Sequence, residues 1–400
     1  MKFSSLVSRL DGSKGKWELH LRVREMAAAG EDVIELTLGE PDVEVPEELK
    51  ESAIAAIRRG RTKYAAEQGE PQLLEALAEH YTARVGRPIA PENVLCFPGT
   101  QTALFAAMMT LADAGDEVLV GDPMYATYEA VIRSTGATMV PVKLKPENGF
   151  RMRACDIAPC ISARSRVILL TTPHNPSGSI LTRSDIAEIA NLAARHDLWI
   201  VSDEVYADLI FEGQTFVSPL EFDAVRDRVV VVSSISKSHA APGFRSGWSI
   251  GSKEFVQASV LLCDTMLFGN QPFIADMTVD AIRMGSSVVA GMRQRYSARA
   301  QRLERALGNG KTMLDVYRPQ AGMFALVDVR RTGLSGKEFA RELLDECGVA
   351  TMPGSSFGAS LDGFIRICLT AKDDAFDEAL RRIVRFCDTI SPQLYGAAGA

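Results

Sequence analysis

A strand–loop–helix pattern that repeats between residues 93 and 250 constrains the fold of this chain more than any other feature. Short runs rich in Val, Ile and Leu alternate there with helical segments, with Gly, Pro, Asn or Ser between them. Such alternation specifies a mainly parallel sheet with helices on both faces. We therefore predict an α/β fold whose large sheet has seven strands, at 93–97, 116–120, 139–142, 166–170, 199–202, a run starting at Val229, and 249–250.

The C-terminal part of the chain has a different pattern, and the length of 400 residues exceeds what one hydrophobic core usually supports. Its predicted elements are a long helical stretch at 273–307, a strand at 325–329, a helix at 337–345, a strand at 364–369 and a helix at 373–390. We therefore predict a large domain at 46–290 and a smaller α+β domain formed by 1–45 and 291–400. A frayed end is expected at 395–400.

Composition excludes several classes of protein. The hydrophobic fraction of 46% and the charged fraction of 24% are those of an ordinary globular chain. With 44 Lys and Arg against 51 Asp and Glu, the net charge of −7 argues against a nucleic-acid-binding protein, which carries a basic excess. The sequence has no apolar run long enough for a transmembrane helix, and Arg9 and Asp11 interrupt the N-terminus before any secretory apolar region.

The seven cysteines are scattered and form no Cys-x-x-Cys pair, which is typical of reduced thiols in a cytosolic protein. The five histidines have no ligand spacing among themselves or with the cysteines, so we expect no metal site. We accordingly expect a cytoplasmic protein with no membrane and no nucleic acid among its partners.

One lysine follows the most apolar strand directly. Four consecutive valines from Val229 lead into a polar run, and Lys237 lies in that run shortly after Ser234 and Ser236. This position falls at the carboxyl edge of the predicted sheet, where ligands bind in open α/β folds. A solvated surface lysine is one interpretation. The other is a desolvated amine near cationic groups, which loses its proton readily and forms a Schiff base with a carbonyl.

Residues suited to an anion stand at the ends of two predicted strands. The segment Gly99-Thr100-Gln101 opens a helix whose first backbone N–H groups attract negative charge, although such a sequence alone is more often a simple cap. The hydroxyls of Ser234 and Ser236 and the guanidinium of Arg245 are further donors for the same phosphate.

Four more side chains follow strands of the large domain. Asp203 is either a helix cap or a carboxylate for a protonated ring nitrogen, and Asn175 is either a turn residue or an amide donor. The hydroxyl of Tyr206 and the amide of Asn175 suit a phenolic oxygen, while Tyr125 is either a packed aromatic or a platform for a flat ring. A phosphate, a pyridinium nitrogen, a phenolic oxygen, a ring face and an aldehyde together describe pyridoxal 5′-phosphate.

The motifs that carry these residues resemble, in their order, those of the class I and II aminotransferases of pyridoxal-phosphate fold type I. They are Gly39-Glu40-Pro41, Tyr64 with Gly69, Gly99-Thr100, Pro123-Met124-Tyr125, Pro173-His174-Asn175-Pro176-Ser177-Gly178, Asp203-Glu204-Val205-Tyr206, Ser234 with Lys237 and Arg245, and Arg366-Ile367. The resemblance spans about residues 30 to 385. It implies a homodimeric enzyme that moves an amino group from an L-amino acid to a 2-oxo acid by ping-pong chemistry.

The resemblance also implies a role for each residue. Lys237 carries the cofactor as an internal aldimine and moves protons, Asp203 bonds the ring nitrogen, and Tyr206 belongs to the same catalytic group. Arg366 clamps the substrate carboxylate beside Asn175 and the Gly39 backbone. The remaining cofactor contacts are implied for Gly99, Thr100, Gln101, Tyr125, Asn175, Tyr206, Ser234, Ser236 and Arg245, and for Tyr64, which reaches the neighbouring subunit's site together with the 265–271 loop.

Fewer residues indicate the substrate. Some bacterial aspartate aminotransferases read a distal carboxylate with a lysine where this chain has Gln101, and the 265–271 loop contains no arginine to replace it. Segments around Tyr125 and Lys237 are similar to those of arginine–pyruvate aminotransferases, which implies a basic or neutral amino donor and pyruvate as acceptor. The acidic side chains of segment 40–44 would then meet a cationic group.

Three alternatives have distinguishing features. A pyridoxal-phosphate C–S β-lyase shares the fold and the cofactor residues but needs no 2-oxo acid. A non-enzymatic pyridoxal-phosphate regulator carries a DNA-binding segment ahead of the domain, and only a short segment precedes the first motif here. A generic nucleotide-binding protein requires a Gly-x-Gly-x-x-Gly or Walker loop, and the sequence contains neither.

Overall fold

The computed structural model describes residues 4–10, 15–308 and 310–390, so the frayed end expected at 395–400 lies outside the described residues. Strands in this part of the chain are β1 (Ile34–Glu35), β2 (Val94–Phe97), β3 (Glu117–Asp122), β4 (Thr138–Lys143), β5 (Ser165–Thr171), β6 (Trp199–Asp203), β7 (Val229–Ser234), β8 (Gly247–Ile250), β9 (Asp315–Tyr317), β10 (Phe324–Asp328), β11 (Val349–Ala350), β12 (Met352–Pro353) and β13 (Phe364–Cys368).

Seven of these strands form the larger sheet, in the order β2–β8–β7–β6–β5–β3–β4. Within it β8 runs antiparallel to both of its neighbours, and the other pairings are parallel. All six residues of β7 are buried, because helices cover both faces of a parallel sheet, and its first four residues are accordingly valines. The predicted α/β fold with a mainly parallel seven-stranded sheet is confirmed.

Helices cover this sheet and the C-terminal strands. They are α1 (Ser5–Arg9), α2 (Glu18–Ala28), α3 (Glu47–Arg58), α4 (Pro71–Val85), α5 (Thr100–Leu111), α6 (Tyr128–Ser134), α7 (Ala154–Ile157), α8 (Arg183–Arg195), α9 (Ile235–Ser238), α10 (Lys253–Met266), α11 (Pro272–Met284), α12 (Val289–Leu307), α13 (Gly336–Cys347) and α14 (Asp373–Thr389). None of the helices in the described ranges combines the length and the apolar character that a membrane crossing requires.

The prediction of one continuous helical stretch at 273–307 is wrong. Two helices, α11 and α12, occupy it, because Gly285 has a φ of 70° that a continuing helix does not allow. The hydroxyl of Ser286 then accepts a hydrogen bond from the Val289 backbone N–H at 3.0 Å, which satisfies a free donor at the start of α12.

A second, smaller sheet lies in the C-terminal part. It has four antiparallel strands in the order β12–β13–β10–β9. Next to it, β1 pairs in parallel with β11, so a segment near the N-terminus packs with the C-terminal part of the chain. The backbone N–H of Cys368 in β13 also donates to Leu36 O at 3.0 Å. Gly39, three residues after Leu36, lies against Phe324 of the smaller sheet and accepts a hydrogen bond from Lys237, which follows the larger sheet.

Candidate active site

A cavity of about 160 Å³ lies at the carboxyl edge of the larger sheet. Loops after β2, β3, β5, β6 and β7 surround it, because parallel strands present their carboxyl ends at the same edge. The residues that line it are Thr100, Gln101, Leu104, Tyr125, Tyr128, Thr171, Asn175, Asp203, Val205, Tyr206, Ser234, Ser236, Lys237, Pro242 and Arg245. Most of the predicted site residues are among them.

Lys237 lies in α9, the single helical turn that follows β7. Ser234 caps this turn, since its Oγ accepts a hydrogen bond from the Ser236 backbone N–H at 3.3 Å. The Lys237 Nζ donates to the Gly39 backbone oxygen at 2.7 Å. Burial lowers the pKa of the Lys237 amine to about 8, and the Glu40 carboxylate acts in the opposite direction. A neutral, nucleophilic amine is therefore accessible near neutral pH.

Asp203 ends β6 and is 6% exposed. Its Oδ2 accepts a hydrogen bond from the Tyr128 hydroxyl at 2.7 Å, and its Oδ1 accepts one from the Val205 backbone N–H at 3.2 Å. Burial raises the pKa of the Asp203 carboxyl to about 6, although both hydrogen bonds favour the ionised form. At neutral pH the cavity thus contains a buried carboxylate that suits a cationic N–H donor.

Asn175 and two tyrosines line the cavity beside these groups. The Asn175 Oδ1 accepts a hydrogen bond from Arg366 Nη1 at 3.0 Å, which leaves its Nδ2 hydrogens available as donors. The Tyr206 ring packs edge-on against Phe324, with the centroids 5.4 Å apart, and burial raises the pKa of the Tyr206 hydroxyl well above its usual value. Burial also raises the pKa of Tyr125. Both hydroxyls therefore stay protonated at neutral pH and remain hydrogen-bond donors.

Donors collect at the start of α5. Gly99, with a φ of 91°, precedes this helix, and the Arg245 guanidinium occupies the space that a Cβ at Gly99 would fill. Arg245 donates to Pro242 O at 2.8 Å, and its other amino group lies 3.4 Å from Pro98 O. The Thr100 hydroxyl is buried without a hydrogen-bond partner among the described residues. An anion at this corner would complete these bonds.

Arg366 in β13 is 2% exposed and lies against the cavity through Asn175. Its Nη2 donates to Thr37 O at 2.5 Å and lies 3.6 Å from the Cys368 Sγ. Its Cζ lies 4.4 Å from the ring centroids of both Phe324 and Phe357. Nε has no partner among the described residues. Free donors thus remain on a fixed guanidinium, which is the geometry that bidentate carboxylate binding needs.

The cavity lining leaves out four predicted site residues, which are Gly39, Gly99, Tyr64 and Arg366, and it includes Gln101. Gly39 contributes the carbonyl that Lys237 contacts, and a side chain there would collide with the Phe324 ring. Gln101 is exposed, and its Oε1 accepts a hydrogen bond from the Thr127 hydroxyl at 3.0 Å. Tyr64 is outside the lining and 87% exposed.

The acidic side chains of segment 40–44 are not equivalent. The Asp42 carboxylate is buried, 2.8 Å from Arg299 Nη1, and accepts a hydrogen bond from the Tyr296 hydroxyl at 3.0 Å. It is therefore already neutralised, and the expectation that it meets a cationic ligand is wrong. Glu40 is exposed, and its carboxylate acts on the pKa of Lys237.

Sequence reasoning assigned no role to Tyr128 or Thr171. Tyr128 begins α6 and is 1% exposed, and its hydroxyl contacts both Asp203 and Thr171. Tyr125 precedes α6, so helical spacing gives no signal for Tyr128, although the two rings pack edge-on with centroids 5.6 Å apart. Nothing in the sequence indicated the approach of α6 to the end of β6.

Comparison with known proteins agrees with this geometry. The family model for aminotransferase class I and II matches residues 31–383. The chain is 38% identical over 384 residues to the arginine–pyruvate transaminase of Pseudomonas aeruginosa, covering 96% of this chain and 97% of that one. It is 31% identical over 369 residues to the aspartate/prephenate aminotransferase of Thermus thermophilus, covering 92% and 94%.

Solved structures agree as well. The aspartate aminotransferase of Rhizobium meliloti superimposes with a TM-score of 0.91 at 28% identity, covering 98% of this chain and 100% of that one. The Thermus thermophilus aspartate aminotransferase with maleate gives a TM-score of 0.90 at 30% identity, covering 96% and 99%. Neither a C–S β-lyase nor a non-enzymatic regulator is supported by these relatives. The chain belongs to the class I and II aminotransferases.

Proposed function

We propose that this aminotransferase binds pyridoxal 5′-phosphate in the cavity and carries it on Lys237. The observation that supports the proposal most strongly is one cavity containing both a lysine amine with a pKa near 8 and a buried carboxylate with a pKa near 6. The unpaired Thr100 hydroxyl, next to Arg245 and the start of α5, fits a phosphate group. The residues present therefore fit the cofactor.

Each side chain would hold one part of the cofactor. The Asp203 carboxylate would accept a hydrogen bond from the ring nitrogen, and Asn175 and Tyr206 would donate to the phenolic oxygen. Tyr125 would pack on the ring. The phosphate would be held by Gly99, Thr100, Gln101, Ser234, Ser236 and Arg245.

Two side chains, those of Arg366 and Lys237, would bind the substrate and move its proton. When bound, pyridoxal 5′-phosphate supplies an aldehyde for amine chemistry and an electron sink for a substrate Cα–H bond. Arg366 binds the α-carboxylate of the amino acid with its free guanidinium donors, beside Asn175 and the Gly39 backbone. The Lys237 amine takes the Cα proton and returns it when the product forms, since a pKa near 8 suits both directions at neutral pH.

We further propose pyruvate as the amino acceptor and a basic or neutral amino acid as donor. The relative with 38% identity is named for arginine and pyruvate. In this chain Gln101 brings no cation to the cavity, which disfavours a substrate with a distal carboxylate. Glu40, exposed and close enough to act on Lys237, is compatible with a cationic donor.

A donor panel tests this proposal. The purified protein, loaded with pyridoxal 5′-phosphate, is mixed with each amino acid in turn, and loss of the cofactor's near-visible absorption is followed. Arginine, lysine and neutral amino acids should bleach the band faster than aspartate, and pyruvate should restore it faster than 2-oxoglutarate. Faster bleaching by aspartate would overturn the substrate proposal. Release of ammonia and pyruvate from cystathionine, with no 2-oxo acid added, would instead favour the β-lyase.

We also propose a homodimer, a two-domain chain and a cytoplasmic location. Tyr64 and Phe268 are exposed aromatic neighbours, with ring centroids 6.0 Å apart, which suits the reach of Tyr64 and the 265–271 loop into a second subunit's site. Pairing of β1 with β11 supports a small domain formed by 1–45 and 291–400 around a large domain at 46–290. The cysteines in the described ranges are free thiols, as a reducing compartment favours.

A further inference from the structure

We propose that Tyr128 is a positioning residue, which keeps the Asp203 carboxylate ionised and oriented for the cofactor's ring nitrogen through a directed hydrogen-bond chain that starts at Thr171. This inference rests on the proposed cofactor, but it concerns contacts within the chain itself. Tyr128 lines the cavity, and in this role it acts on the cofactor through Asp203.

Two strands of the larger sheet and one helix packed on it supply the three residues of this hydrogen-bond chain. Thr171 is the last residue of β5 and lies opposite Asp203, the last residue of β6. Tyr128, the first residue of α6, places its hydroxyl oxygen 2.8 Å from Thr171 Oγ1 and 2.7 Å from Asp203 Oδ2. The tyrosine is 1% exposed, so water does not compete for these bonds.

The number of protons fixes the direction of the chain. A phenol has one hydrogen to donate, and the ionised Asp203 carboxylate can only accept. The Tyr128 proton therefore goes to Asp203, and the Thr171 hydroxyl must donate to the Tyr128 oxygen. Each bond polarises the next, which strengthens the bond to the carboxylate. If Asp203 becomes protonated, the carboxyl turns into a donor and both bonds can reverse.

The surroundings keep the tyrosine a donor. Burial, followed by the Asp203 charge, raises the pKa of the Tyr128 hydroxyl well above its usual value, so the phenol does not ionise. Burial favours the neutral form of Asp203, and the Tyr128 and Val205 hydrogen bonds oppose it. The other titratable groups that face Asp203 or share its cavity are Tyr125, Tyr206, Glu204, Lys237 and Arg245. The structure pairs none of these five directly with the Asp203 carboxylate.

Binding of pyridoxamine 5′-phosphate tests the inference without lysine chemistry, because this compound has no aldehyde. Its affinity is measured by calorimetry across pH for the wild type, Tyr128→Phe and Thr171→Val. Loss of a hydrogen bond to a charged group should move the midpoint of the pH dependence upward by about one pH unit in Tyr128→Phe. Thr171→Val should move it in the same direction by less.

Tyr296→Phe is the matched control. Tyr296 is also buried and donates its hydroxyl to a carboxylate, that of Asp42, but it does not line the cavity. It should lower stability in the same way as Tyr128→Phe and leave the midpoint unchanged. The inference would be overturned if the midpoint of the pH dependence stayed unchanged in both Tyr128→Phe and Thr171→Val. It would also be overturned if Tyr296→Phe moved the midpoint as far as Tyr128→Phe does.

A second measurement separates the inference from the proposed function. Infrared spectra of the cofactor-free protein are recorded across pH, and the spectra of Asp203→Asn are subtracted. The difference reports the protonation of the Asp203 carboxyl directly. The pKa of the Asp203 carboxyl should rise in Tyr128→Phe and in Thr171→Val whether or not pyridoxamine 5′-phosphate binds. Failure of this compound to bind would count only against the proposed cofactor. If Tyr128→Phe does not fold, Thr171→Val decides alone, and an unchanged Asp203 pKa in that variant overturns the inference.

Discussion

Arg366 and Asn175 connect the two sheets: Nη1 of the arginine donates to Oδ1 of the asparagine at 3.0 Å. Arg366 belongs to β13 of the smaller sheet, and Asn175 belongs to the loop after β5 of the larger sheet. A substrate carboxylate bound to this pair therefore contacts both parts of the chain at once. Backbone hydrogen bonds from Gln320 and Ala321 to Gly178 O also join the two parts, so the proposed substrate contact would add to an existing connection.

Replacing Arg366 with lysine should weaken substrate binding. Lysine keeps the charge but loses the planar fork that reaches Asn175, Thr37 O and a carboxylate together. We expect kcat/KM to fall roughly 10- to 100-fold for the amino donor and for the 2-oxo acid. Arg330→Lys is the control, because Arg330 also stacks on a phenylalanine but is exposed. Equal kinetics in the Arg366 variant and the wild type would remove its assigned role.

Lys237→Ala should abolish turnover and the near-visible absorption of bound cofactor, whereas Lys143→Ala, at an exposed position in β4, should change neither. In the wild type, the rate at which the cofactor-free protein takes up pyridoxal 5′-phosphate should rise with pH through about 8, since only the neutral amine reacts. Stopped-flow absorbance measures this rate. A pH-independent rate would contradict the lowered lysine pKa.

Glu204 should make stability depend on pH. Its buried carboxyl accepts hydrogen bonds from Ser202 and Ser218 at 3.1 and 2.7 Å, and burial raises its pKa to about 7. The folded state thus holds this proton more tightly than the unfolded chain, so the free energy of unfolding falls as pH rises from about 4.5 to about 7.

Glu204→Gln should remove that dependence, a change of about 3 kcal/mol across the window at most. Urea unfolding at several pH values measures it, with Glu188→Gln, on the exposed face of α8, as control. If the free energies of unfolding of the wild type and of Glu204→Gln differ by the same amount at every pH, folding does not change the pKa of Glu204, and the prediction is wrong.

Tyr64 should act in the neighbouring subunit. If it does, Tyr64→Ala and Lys237→Ala are each impaired, but a mixed dimer contains one intact site, with Lys237 from one chain and Tyr64 from the other. Unfolding and refolding the two variants together should therefore restore activity that neither has alone. Size-exclusion chromatography with light scattering checks that dimers form. No recovery in verified mixed dimers would place Tyr64 in its own subunit's site, or in none.

Gln101→Lys should shift acceptor preference. Gln101 lines the cavity, and a cation there would pair with a distal carboxylate. We expect kcat/KM for 2-oxoglutarate to rise about tenfold relative to pyruvate. Gln101→Met, which keeps the size without the charge, should leave this ratio unchanged. The ratio of the two acceptors in steady-state assays decides the matter, and an unchanged ratio in Gln101→Lys would exclude the position from acceptor selection.

The local pattern of the sequence was enough to predict the larger sheet and the residues at its edge. The apolar run from Val229 ends at Ser234, and Lys237 follows at the cavity as predicted. Long-range contacts were not accessible in this way. Neither the approach of Tyr128 to Asp203 nor the pairing of Asp42 with Arg299 leaves a trace in local periodicity.

The break between α11 and α12 shows a related limit. Helical periodicity continues across Gly285, but its positive φ and the hydrogen bond to the Ser286 hydroxyl separate two helices there. A glycine inside a helical pattern is compatible with both outcomes, because it costs only about 1 kcal/mol in a continuous helix.

The hydrogen-bond partners of Arg366 are uncharged. In the described part of the chain its hydrogen-bond partners are an amide, a carbonyl and a thiol, so this buried guanidinium has no counter-ion of its own. The carboxylate of a small organic anion can supply this counter-ion, whatever side chain the molecule has. Under the proposed function, Arg366 therefore accepts any carboxylate, and discrimination between substrates falls to the groups around Gln101 and Glu40.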